Sequence, residues 1–115
     1  MPLGRVLLDT AVFVYAVSTD HRYRVPCRRL LEAVAAGDLV AEVSALAVEE
    51  CLHQRARSTG DRASAVRVAG NVATLCTVHD LGRPELTLGL QLFADFPTLS
   101  ARDALHAATA INRRL

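Results

Sequence analysis

Short apolar runs alternate along this chain with longer stretches of helical periodicity, and that alternation restricts its fold more than any other feature. Residues 5–9 run apolar and stop at Asp9, and residues 39–43 and 75–78 form two further short apolar runs. A continuous run of this length suits a strand covered on both faces, as in a parallel sheet. Helical spacing fills the intervals: residues 10–17; residues 27–36, with Pro26 near the start and Gly37 past the end; residues 44 to 57, opened by Ser44; residues 62–75, with Val66, Ala69, Val72 and Ala73 on one face; residues 84–93; and residues 101–114, capped by Ser100. Proline near a helix start and glycine just past its end are the expected punctuation. A polar loop at 18–24, a break at 58–61 and a turn at 96–99 separate these stretches. Strands alternating with helices predict an α/β domain around a parallel sheet, with ligands beyond the carboxyl ends of the strands.

The 115 residues fit one domain, 1–115, with no linker or internal repeat. Apolar residues make up 51% and charged residues 22%, which excludes a disordered tail or a low-complexity chain. No run reaches the roughly 18 apolar residues of a membrane span, so no membrane association is expected. Thirteen basic residues, all arginine, stand against twelve acidic ones, for a net charge of +1. A non-specific nucleic-acid coat needs a strong basic excess, so any nucleic-acid contact must be local. Cys27, Cys51 and Cys76 are scattered, with no CxxC spacing, and read as free thiols in a reducing compartment. Arg5 followed by an apolar stretch is reminiscent of a short signal peptide, but Asp9 inside it argues against one. The expected location is cytoplasmic.

Three acids stand out. Asp9 closes a strand and precedes an apolar helix, where an ionised carboxylate needs backbone N–H groups, an arginine or a metal ion as partner. Capping of the helix that starts at Thr10 is the plain alternative. Glu50 shares a helix face with Leu46, whereas Glu49 lies about 100° round the helix and suits solvent. Two ordinary surface glutamates would look the same. Asp103 follows Ser100 in the Ser-x-x-acid capping pattern, which accounts for it without further function.

Taken in order, Leu7-Leu-Asp-Thr-Ala-Val-Phe-Val-Tyr-Ala, Val43-Ser-Ala-Leu-Ala-Val-Glu-Glu-Cys-Leu-His and Leu99-Ser-Ala-Arg-Asp-Ala-Leu-His-Ala-Ala resemble the three acidic motifs of the PIN domain. Their order and intervals are similar to those of VapC toxins of bacterial toxin–antitoxin pairs, over nearly the whole chain. The resemblance implies a PIN-like parallel sheet with helices on both faces. It implies an endoribonuclease dependent on Mg2+ or Mn2+, with Asp9, Glu50 and Asp103 as catalytic and metal-binding acids. It also implies an RNA substrate, a VapB-type antitoxin that blocks the site, and a homodimer. Thr10 and Arg102, beside the first and third acids, become the candidate substrate contacts.

VapC chains normally continue past the helix matching residues 101–114 with a strand, a fourth acidic motif of the Ser-x-Asp type and a closing strand. Neither Asp80 nor Asp95 obviously replaces that fourth acid. The expectation is a C-terminally incomplete PIN-like domain that lacks the family's last strands and leaves the first strand as an edge. A rival reading is a catalytically inactive remnant that keeps only an antitoxin-binding or dimerisation surface. A metal-dependent DNA nuclease on the same scaffold is a third, since fold does not settle substrate.

Three carboxylates in one cleft raise each other's pKa unless a cation neutralises them. An all-oxygen set favours Mg2+, with Mn2+ as substitute, over zinc. His53 and His106 each follow an acid by three residues and reach either the cleft or the core; His21 and His79 fall in loops. Arg55, Arg57 and Arg102 are candidates for RNA phosphates, or simply solvated. Arg22, Arg24, Arg28 and Arg29 form the one basic cluster, facing RNA, an acidic antitoxin segment or solvent. Phe13 and the apolar stripe of the first helix read as core or dimer contact.

Overall fold

The computed structural model describes residues 4–17 and 22–114. Strand β1 (Gly4–Leu7) leads into helix α1 (Thr10–Val17). Then come α2 (Arg24–Ala35), β2 (Leu39–Ser44), α3 (Ala45–Thr59), α4 (Arg62–Leu75), β3 (Thr77–His79), α5 (Arg83–Asp95) and α6 (Ala101–Asn112). The sheet is parallel, in the order β1-β2-β3. Gly4 to Leu7 pair with Leu39 to Glu42, and Glu42 to Ser44 pair with Thr77 to His79. This is the α/β architecture expected, a parallel sheet flanked by helices.

Several boundaries move for physical reasons. Helix α2 starts at Arg24, so Pro26 lies inside its first turn, where a missing N–H removes no intrahelical bond. Residues 18–21 of the expected loop lie outside the described residues. Leu75 and Cys76 end α4 and do not begin β3, because the Cys76 N–H still reaches back to the Val72 carbonyl. Within α4 the buried residues are Ser64, Ala65, Ala69 and Val72, whereas Val66 and Ala73 face solvent. Small residues face the core here, so the buried stripe is turned from the one that hydrophobicity alone suggests. Strand β1 is an edge with Gly4 and Arg5 exposed, in place of a strand covered on both faces.

Side chains alternate across β2, and the two faces of the sheet differ in chemistry. Ala41 and Val43 join Leu8, Phe13, Val34, Ala47, Cys51, Val72 and Cys76 in one apolar core. The other face carries Glu42 and Ser44, both buried. Arg5 donates twice to the Glu42 carboxylate, from Nε at 2.6 Å and from Nη2 at 2.9 Å. His79 Nε2 meets the same carboxylate. One buried acid therefore ties β1 and β3 to β2. The Arg5 guanidinium, helped by His79, holds the Glu42 carboxyl below the usual carboxylate range against the opposing effect of burial.

Helix ends follow capping chemistry. Ser44 Oγ accepts the Ala47 N–H at 3.2 Å, Asp61 Oδ1 accepts the Ser64 N–H at 3.1 Å, and Ser100 Oγ accepts the Asp103 N–H at 3.1 Å. Gly60 ends α3 in the left-handed region at φ 68°. Helices α5 and α6 pack closely: a Cβ on Gly89 would lie 2.8 Å from a methyl of Leu105. Buried Glu85, in the first turn of α5, faces Arg113 at the end of α6 across 3.8 Å.

Candidate active site

Asp9 lies between the end of β1 and the start of α1, beyond the carboxyl edge of the sheet. Its backbone carbonyl accepts the Val12 N–H at 3.1 Å, while its carboxylate stands 57% exposed. Glu50 lies in the second turn of α3, where the Ser44 cap starts the helix immediately beyond β2. Its side chain is only 12% exposed. Glu49, one residue earlier, points to the exposed side. The two acids meet at His106 of α6, whose Nε2 lies 3.0 Å from Glu50 Oε1 and 3.9 Å from Asp9 Oδ1. The other ring nitrogen, Nδ1, lies 3.0 Å from Ser44 Oγ. The second Glu50 oxygen, Oε2, faces the Arg102 Nε across 3.7 Å.

Asp103 occupies the first turn of α6, exposed, with its backbone N–H taken by Ser100. Its carboxylate makes no ion pair or hydrogen bond among the described residues, and no group of three or more His, Cys, Asp or Glu side chains is gathered there as a metal site. A cleft of about 640 Å³ opens beside the acids, lined by Thr10, Glu49, Glu50, His53, Arg57 and Arg102 among others. The Thr10 hydroxyl is buried with no hydrogen-bond partner among the described residues. The Glu50 carboxylate in the cleft and the Asp9 carboxylate near it, together with Arg57 and Arg102 in the cleft lining, suit a hard cation and a phosphate together. Mg2+ is commonly held by only one or two carboxylates, its remaining positions going to water and substrate phosphate.

The histidines and arginines sort themselves. His106, buried, links the two acids; His53 lines the cleft, His79 belongs to the Glu42 network, and His21 lies outside the described residues. Arg57 and Arg102 line the cleft, whereas Arg55 lines a separate small pocket with Phe13 and Val14. Part of the basic cluster has structural work: Arg28 Nε donates to the Ala16 carbonyl at 2.8 Å, and the Arg22 guanidinium lies 4.7 Å from the Tyr23 ring centre. Burial pushes the thiols of Cys51 and Cys76 up to about 11, with the nearby Glu50 charge adding to the effect at Cys51. Neither thiol is a nucleophile at neutral pH.

A profile of the PIN domain matches residues 6–115. The chain belongs to the PIN-domain family. Two ribonucleases of Mycobacterium tuberculosis are among its relatives. Ribonuclease VapC7 is 37% identical over 107 residues, spanning 91% of this chain and 73% of the relative. Ribonuclease VapC23 is 31% identical over 112 residues, spanning 94% and 85%. The family's parallel sheet with flanking helices agrees with the architecture seen here, and the likeness to VapC ribonucleases extends over more than nine-tenths of the chain. No helix among the described residues is long and apolar enough to cross a membrane.

Proposed function

We propose that this chain is a VapC-type toxin endoribonuclease that hydrolyses RNA phosphodiester bonds with Mg2+, or with Mn2+ in its place. The observation that carries the proposal is the meeting of Asp9 and Glu50 at one imidazole nitrogen, beside a polar cleft lined by Glu50, Arg57 and Arg102. Kinship to ribonucleases VapC7 and VapC23 supports the choice of RNA as substrate. Asp9, Glu50 and Asp103 are the proposed metal-binding acids. When bound, a divalent cation supplies charge neutralisation at the phosphodiester and a lowered pKa for the attacking water. The chain's own groups do the rest. Thr10, which lines the cleft, is a proposed substrate contact, and the Arg102 guanidinium balances charge on the phosphoryl group. One carboxylate takes the water proton as general base.

The proposed partners are a VapB-type antitoxin that covers the cleft and a second copy of the chain. Leu86, Leu90 and Phe93 form an exposed apolar stripe at spacings of four and three along α5, which supports a protein partner on that face. The proposed site of action is the cytoplasm.

The test is cleavage of single-stranded RNA by the purified chain in Mg2+. Cleavage is expected to stop in EDTA and to fall by at least about a hundredfold in Asp9→Asn, since a positioned charged group in such a site commonly contributes that much. A thermal melt with and without Mn2+ is expected to show stabilisation by the metal, because a ligand stabilises the state it binds. Cleavage surviving both chelation and the substitution refutes the proposal. A chain that neither cleaves nor responds to Mn2+ is the inactive remnant.

A further inference from the structure

We propose that His106 is the positioning residue that fixes the Glu50 carboxylate, holding it with a proton on Nε2. The inference rests on reading Glu50 as a site acid and deepens that reading. Hydrogen-bond partners decide which ring nitrogen of a histidine carries the proton. Nε2 faces Glu50 Oε1 at 3.0 Å and Asp9 Oδ1 at 3.9 Å. Ionised carboxylates only accept, so this nitrogen donates. Nδ1 lies 3.0 Å from Ser44 Oγ, an oxygen that already accepts the Ala47 N–H. The Ser44 hydroxyl proton is then free to go to Nδ1. A directed chain results, from the Ala47 N–H to Ser44 Oγ, from the Ser44 hydroxyl to His106 Nδ1, and from His106 Nε2–H to Glu50 Oε1. The opposite tautomer would set a bare nitrogen against two carboxylates.

The chain begins and ends on α3 and passes through α6. Ser44 caps α3, and Glu50 lies in that helix's second turn, so one imidazole fixes both the helix start and the acid's rotamer. With Oε1 taken, Oε2 is the oxygen left toward the cleft, and its 3.7 Å approach from Arg102 is too long for a hydrogen bond. His106 also stands one turn beyond Asp103, on the same side of α6. It therefore registers the three acid-bearing segments against one another: the end of β1, the start of α3 and the start of α6. A simple packing histidine would fill the same space without needing either nitrogen in a given state.

Long-range 1H–15N spectra of the whole chain, recorded above the ordinary imidazole range, read the tautomer without metal or RNA. His106 is expected to carry its proton on Nε2, and Glu50→Gln is expected to shift that resonance. An Nδ1–H tautomer overturns the proposal whatever the chain does to RNA. Two variants then separate positioning from packing. His106→Gln keeps an amide donor near the Nε2 position, whereas His106→Asn reaches only the Nδ1 position and leaves Glu50 without its donor. Mn2+ affinity and kcat for RNA cleavage are expected to fall roughly 10–100-fold in His106→Asn, the usual effect of losing a group that orients a ligand. His106→Gln is expected to stay near the parent, with KM unchanged in both. Equal losses in the two variants, or none in either, overturn the proposal. Should the parent cleave no RNA at all, the function proposed above fails, while the tautomer still decides this inference.

Discussion

At the scale of single residues, burial and partners separate side chains that look alike in sequence. Cys51 and Cys76 sit in the core with their thiols pushed up to about 11, whereas Cys27 is only partly buried on α2. A thiol reagent at mildly alkaline pH is therefore expected to label Cys27 alone in the native chain, and all three after unfolding, as counted by mass spectrometry. The acids show how far residue-level reading reaches. Glu50 was separable from Glu49 because helix geometry turns adjacent residues to different sides. His106 was not, because a histidine among alanines and leucines fits a core as well as a site. Its role depends on Ser44 and Glu50, which lie far away in sequence and meet it only after α6 folds onto the sheet. Ser44 itself was legible as a cap, and the second duty of its hydroxyl was not.

At the scale of elements, local chemistry was the most legible part of the sequence. Ser44 and Ser100 cap the helices they were expected to cap, and every expected helix is present. Boundaries slipped where two effects overlap. The Leu75-Cys76 pair is apolar enough for a strand yet finishes a helix, and Pro26 is accepted inside a first turn. The break after α3 offers a measurement. Gly60 holds a left-handed conformation that costs an L side chain about 1–2 kcal/mol, and a Cβ there meets no neighbour within 4 Å. Gly60→Ala is expected to lower stability by about 1 kcal/mol in urea unfolding through backbone strain alone. Gly89 differs: there the obstacle is Leu105, so Gly89→Ala trades a gain in helix propensity against a forced shift of that side chain.

At the scale of the whole molecule, the sheet is joined through a charged group, and its stability should follow pH accordingly. Glu42 is 3% exposed and held below its ordinary value of 4.5, chiefly by Arg5. The folded chain keeps this carboxylate ionised to lower pH than the unfolded chain does. Its contribution is thus present above the ordinary carboxylate pKa and lost as pH falls through the depressed folded value. The melting temperature is expected to drop on acidification below about that ordinary value, and Glu42→Gln is expected to flatten this part of the profile. Calorimetry across the acid range checks both. The parallel order of the strands was legible from alternation, but this network was not, since Arg5, Glu42 and His79 follow one another only at intervals of 37 residues and come together through register.

Arg5 has a second effect that follows from where it stands. Among the described residues strand β1 is a border of the sheet, and its outer rim offers backbone donors and acceptors to an extended segment. The guanidinium, partly in water and clamped to an interior acid, keeps a hydrated polar group at that rim. A hydrated side chain of this kind disfavours edge-to-edge pairing, so the residue that neutralises Glu42 is also expected to work against aggregation through this border.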